Sequence, residues 1–234
     1  MSYTLENFLG KDPSHLVEVP EFKNCMLTAE TAATFKAMHD AAVKDGLNLI
    51  PVSSYRSFDR QLTIWNEKYL GDRKVLDNHN NPVNINQLTG IEAAYAILYW
   101  SALPGFSRHH WGTDLDVAAD NLMPDGYEIQ LVSSEYQEGG IFYPLTQWLN
   151  ENMEKFGFFR PFTDNSHVRV GTELWHLSYR PEAEKFLAFV TRENIETLIR
   201  SSSIAGKYCL LNMVDELYND YIINSDNKDL RFNA

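Results

Sequence analysis

The run Ser107-Arg108-His109-His110-Trp111-Gly112-Thr113-Asp114-Leu115-Asp116 constrains this chain more than any other stretch. It brings two imidazoles and two carboxylates close together. Gly112 permits a tight turn, which would carry His109 to the mouth of a strand running from Thr113 to Ala118. Period-two alternation along that strand sets Asp114 and Asp116 on one face and Leu115 and Val117 on the other. Either carboxylate is therefore eligible as a ligand. The plain alternative, a polar turn with a solvated histidine pair, leaves a second motif unexplained.

That second motif is Glu173-Leu174-Trp175-His176. His109, Asp116 and His176 together offer three metal ligands, and Glu173 is a nearby base. Neutral imidazole and carboxylate are ordinary Zn²⁺ ligands, and a catalytic zinc keeps one position open for water. Trp175, Leu177, Tyr179 and Pro181 argue against a long helix here, so a bend or short extended segment has to present Glu173 and His176. A third segment, Ser53-Ser54-Tyr55-Arg56-Ser57-Phe58-Asp59-Arg60-Gln61, lies where a strand meets a helix. Such a junction can aim Arg56 at an oxyanion or carboxylate. The alternative is an exposed arginine on a capping turn.

With 234 residues, 44% of them hydrophobic and 13% aromatic, the chain is globular and can bury a sizeable core. Its net charge of −12 repels phosphate backbones and argues against nucleic acid as a partner. Cys25 and Cys209 are too few and too far apart for a disulfide framework or a thiolate metal site. No apolar run is long enough for a membrane span. Residues 1–19 lack the basic and apolar regions of a secretory signal, so the expected compartment is the cytoplasm, or the cell envelope if a signal has been removed.

Along the chain, residues 1–24 are expected to form an arm lying over the surface. Helices are expected over 28–44 (N-cap Thr28, stop Gly46), 57–69, 89–101, 144–156 and 181–191. Strands are expected over 47–54, 113–118, 158–162 and 167–170, the last two paired around Asp164-Asn165. Residues 71–86 read as loop, with His79 solvated. His167 is either an ordinary strand histidine or a neighbour of the second motif. One or two further helices fit 195–221, followed by a polar tail from Ser225.

Ser-x-x-Arg-Ser followed by Gln61, then Ser-x-His with Asp116, then Glu-x-Trp-His-x-x-Tyr, in that order, resemble the VanY-type D-alanyl-D-alanine carboxypeptidases. These are zinc peptidases of the hedgehog/D,D-peptidase fold. The resemblance covers roughly residues 25–190. It implies one Zn²⁺ per chain held by His109, Asp116 and His176, with Glu173 as catalytic base and Arg56 stabilising the oxyanion. It places Gln61, Ser107 and Tyr179 in substrate binding; Asp114 and Trp175 are expected next to the ligands. The implied substrate is a peptidoglycan stem peptide or other D-Ala-terminated peptide, cut next to a D-amino acid at D-Ala-D-Ala or a related L,D bond. A cytoplasmic enzyme would meet it as precursor or recycled fragment. Two departures stand out. Asp114 occupies a position that is usually small, where a carboxylate would alter metal affinity or bind a cationic group. His110 replaces an amide or small polar residue, which leaves a second histidine eligible as ligand.

The expected architecture is α+β, a small antiparallel sheet with packed helices, in a peptidase domain over 25–190 with a helical C-terminal extension over 191–234. Two other readings use the same residues. A non-haem Fe(II) oxygenase also takes two histidines and a carboxylate, but Glu173 and Arg56 suit hydrolysis better. A zinc-stabilised binding module would have no use for Glu173.

Overall fold

The computed structural model describes residues 2–164 and 169–223. Its first sheet is a hairpin of β1 (Leu16–Glu18) and β2 (Met26–Thr28). Helix α1 (Ala29–Lys44) follows at once, because Thr28 Oγ1 accepts the Thr31 N–H as an N-cap. It stops before Gly46, whose φ of 88° is open to glycine at little cost. β3 (Leu49–Ser53) leads into α2 (Phe58–Tyr69), capped by Ser57. α3 (Gly90–Leu98) starts on a capping box between Thr89 and Glu92.

The remaining sheet strands are β4 (Asp114–Ala119), β5 (Phe158–Phe159) and β6 (His176–Tyr179). Between β4 and β5 lies α4 (Tyr143–Asn152). The main sheet is antiparallel, in the order β3-β4-β6-β5. Its register decides the site: Asp116 faces His176 and Asp114 faces Ser178 across the β4–β6 ladder. Alternation then turns Asp114, Asp116, His176 and Ser178 to one face. Leu115, Val117 and Leu177 turn to the other and pack against Phe35 and Met38 of α1 and Leu145 and Leu149 of α4.

A second core joins Trp65 of α2 and Ile97 of α3 to the C-terminal part of the chain. That part comprises α5 (Arg180–Phe186), α6 (Arg192–Ser201) and shorter helical turns up to Ile222. Ile195, Leu198, Leu210 and Leu217 are buried in this cluster. No helix among the described residues is long and apolar enough to cross a membrane.

Two expectations change. The N-terminal arm is not merely laid over the surface. Phe8, on a helical turn capped by Thr4, is fully buried against Phe106 and Trp111. The loop over 71–86 contains a small hairpin, Val75–Leu76 paired with Pro82–Val83, while His79 is exposed as expected. Phe158–Phe159 pairs with His176–Tyr179, and the strand expected over 167–170 falls partly outside the described residues. His167, Asn165 and the tail from Ser225 lie outside the described residues.

Candidate active site

The polar face of the sheet gathers the residues of both motifs. One ligand atom each from His109, Asp116 and His176 lies within 4.8 Å of the others, and all three residues are buried. His109 sits on a single turn of 3-10 helix, Arg108–His110, just before β4. Its Nδ1–H donates to the Ser54 carbonyl at 2.8 Å, which leaves the Nε2 lone pair facing Asp116 Oδ2 at 3.2 Å. His176 is held the other way round. Its Nε2 donates to Asp114 Oδ1 at 2.9 Å, and its Nδ1 faces Asp116 Oδ1 at 3.4 Å and Glu173 Oε2 at 3.1 Å.

The donor set fits a metal ion. Each imidazole is fixed by an acceptor on its far nitrogen, the arrangement that orients histidine ligands. Asp116 Oδ1 is buried without a hydrogen-bond partner, and buried carboxylate oxygens are rarely left so. Without a metal, the surroundings act strongly on protonation. Burial opposes the imidazolium of His176, but the carboxylates of Asp114, Asp116 and Glu173 around it outweigh that and raise its pKa. Burial likewise opposes charge on Asp116, yet His109 and His176 hold its carboxyl well below the usual range.

Asp114 does not face a substrate. Its carboxylate accepts from Arg108 Nε at 2.8 Å, Thr113 Oγ1 at 2.5 Å and Ser178 Oγ at 3.1 Å, besides His176. Burial works against its charge, and the Arg108 guanidinium together with His176 and Thr113 more than compensates. Binding a cationic substrate group is therefore not open to Asp114; its bonding capacity is spent inside the protein. His110 is not an available ligand either. The Gly105 N–H donates to its Nε2 at 3.0 Å, so Nδ1 carries the proton and donates to the Arg56 carbonyl at 2.5 Å. Full burial pushes its pKa down to about 3 and keeps it neutral. It pins the Arg56 loop, whose Arg56 N–H also donates to the His109 carbonyl.

Arg56 lines the cleft over these residues. Its Nη1 donates to Gln61 Oε1 at 2.9 Å. Gln61 is fully buried, and its Nε2 donates to the Ala102 carbonyl at 2.7 Å. The expectation that Gln61 touches substrate is corrected: it holds Arg56. Tyr179 is corrected as well. It lies on the apolar side of β6, its hydroxyl donates to Glu30, and it does not line the cleft. Ser107 and Trp175 do line it, Trp175 with its ring against Trp100 and Tyr136. Sequence reasoning missed Arg108 as partner of Asp114, and Ser178, although Ser178 shares the face of His176 by simple alternation.

The cleft has a volume of about 290 Å³, near the lower end of the range for small-ligand sites. Leu217 and Tyr221, far outside the motif region, form part of its wall. The family model for VanY, D-alanyl-D-alanine carboxypeptidase, matches residues 24–182. The chain belongs to that family. It is accordingly a metallopeptidase of the carboxypeptidase type, and the oxygenase reading falls away.

An uncharacterized protein of Haemophilus influenzae is 37% identical over 118 residues, 50% of this chain and 90% of that protein. A variant of the vancomycin-resistance D,D-pentapeptidase VanY, solved with Zn(II), superposes with a TM-score of 0.51 at 24% identity, covering 75% of this chain and 84% of that one. The LD-carboxypeptidase LdcB superposes with a TM-score of 0.52 at 26% identity, covering 76% and 73%. The fold is the one these two peptidases share.

Proposed function

We propose that this chain is a zinc carboxypeptidase that removes the terminal D-amino acid from peptidoglycan-type peptides, with one Zn²⁺ per chain held by His109 Nε2, Asp116 and His176 Nδ1. The convergence of these three donors, each imidazole locked from behind and Asp116 Oδ1 without a hydrogen bond, carries the reading. The zinc-bound relative supports the choice of metal. A zinc ion here supplies Lewis acidity and brings the pKa of bound water to about 7.

The protein's own groups do the rest. Glu173, beside His176 but free of the ligand set, takes the proton of the attacking water and hands it to the leaving amine. Arg56 faces the charge that develops on the scissile carbonyl, and burial keeps its guanidinium poorly solvated and so strongly interacting. Gln61 holds that guanidinium in place. Asp114 and Arg108 hold the His176 ring.

The test is metal analysis together with product mass spectrometry on two peptides, one ending in D-Ala-D-Ala and one ending in a single D-Ala. Release of D-Ala from the first is expected, since the family model is that of a D-alanyl-D-alanine carboxypeptidase; release from the second would assign the L,D activity of LdcB. Full zinc occupancy in His176→Ala, or no hydrolysis of either peptide by the zinc-loaded protein, refutes the reading.

A further inference from the structure

Two lysines of the cleft are not used by the chemistry above. Lys68 and Lys74 both line it together with Arg56. Acidic groups outnumber basic ones, 32 to 20, and many cations of this chain are paired: Lys36 with Glu21, Arg73 with Glu67, Arg108 with Asp114. Neither the Lys68 nor the Lys74 ammonium has an ion pair or hydrogen bond among the described residues. Lys68 is half-buried and Lys74 is exposed at the cleft's edge. Desolvation, then Arg73 and Arg56, bring its pKa down to about 8, opposed only by Glu173.

Along the helix backbone, Lys68 is set back from the residue that holds Arg56. Gln61 and Lys68 are seven residues apart on α2, hence on one face and about 10 Å apart along its axis. Gln61 holds Arg56 at the metal end of this row. The carboxylate of a one-residue leaving group stays within one residue of the scissile bond, about 3.5 Å, near Arg56 and not near Lys68. A side-chain carboxylate one residue further back on the acyl side has the longer reach.

We propose that Lys68 and Lys74 form an anion subsite for a side-chain carboxylate in the substrate, on the residue preceding the one that supplies the scissile carbonyl. This deepens, and rests on, the carboxypeptidase reading. An unpaired ammonium in a partly desolvated cleft gains a charge-assisted partner when such a peptide binds, so the subsite selects dicarboxylic over neutral residues at that position.

The test uses two D-Ala-D-Ala peptides identical except that this residue carries a carboxylate in one and its primary amide in the other. Wild type is expected to show a KM about 10-fold lower for the carboxylate peptide, the size of one charge-assisted contact, with equal kcat. Lys68→Gln should abolish the difference by raising only the carboxylate peptide's KM, Lys68→Arg should restore most of it, and Lys74→Gln should narrow it. Equal KM values in wild type, or a preference unchanged in Lys68→Gln, overturns the subsite and would leave Lys68 a partner of the helix C-terminus. Calorimetry on the Glu173→Gln protein separates the two proposals. Carboxylate-selective binding there without wild-type turnover would keep the subsite and sink the peptidase; turnover without selectivity would do the reverse.

Discussion

Three histidine environments at this centre differ by what stands behind each ring. His109 leans on a backbone carbonyl, His176 on a carboxylate, and His110 on both a donor and an acceptor. The difference is measurable at Asp114. Asp114→Asn should weaken zinc binding about 10–100-fold, the usual effect of a partner behind a ligand, whereas Asp116→Ala should abolish it; competitive chelator titration reads both. Glu173→Gln should stay folded and zinc-loaded and lose about 10²–10⁴ in kcat, measured by D-Ala release. His110 contributes to acid sensitivity. Its folded pKa of about 3 lies below the 6.5 of the unfolded chain, so the unfolded state takes up a proton first as pH falls. Stability is thus lost on acidification through the window between the two values. From pH 7 to pH 5 the loss amounts to about 2 kcal/mol. Urea unfolding in chelator should show His110→Gln losing less over that interval, by about that amount.

Among the elements, the N-terminal segment and the loop before α2 behave as one unit. The Gly10 carbonyl accepts from both Phe58 N–H and Tyr55 hydroxyl, and a Cβ on Gly10 would lie 2.4 Å from His110 Nδ1. The arm therefore abuts the ring that pins Arg56, and Phe8 anchors it. Phe8→Ala should cost about 3–5 kcal/mol in urea unfolding, as for other fully buried aromatics. A surface-lying arm would give well under 1 kcal/mol.

At the scale of the whole molecule, the C-terminal helices share a core with α2 and α3. Leu198 also packs on Gly105, where a Cβ would approach to 2.2 Å, just ahead of the Ser107–Asp116 run. Stability of the catalytic loop and of the extension should be coupled. Leu198→Ala should lower stability by about 2–5 kcal/mol while unfolding, followed by tryptophan fluorescence and by circular dichroism, stays a single coincident transition. Two separate transitions would show the extension to be an independent unit.

The sequence by itself determined the candidate histidines and candidate base, and it marked where the helices begin. His109, Asp116, His176 and Glu173 could be read because motif chemistry is local, and alternation along β4 already put both aspartates on one face. Thr28, Ser57 and Thr89 announced their helices because a cap is a bond within four residues. Tertiary structure alone decided between Asp114 and Asp116, both eligible by pattern, since the choice depends on where the Arg108 guanidinium lands. It likewise turned Gln61 from substrate to Arg56, put Tyr179 on the far side of the sheet, and brought Leu217 and Tyr221 to the cleft. Those outcomes depend on contacts between residues distant in the chain, and local periodicity holds no information about which distant surfaces meet.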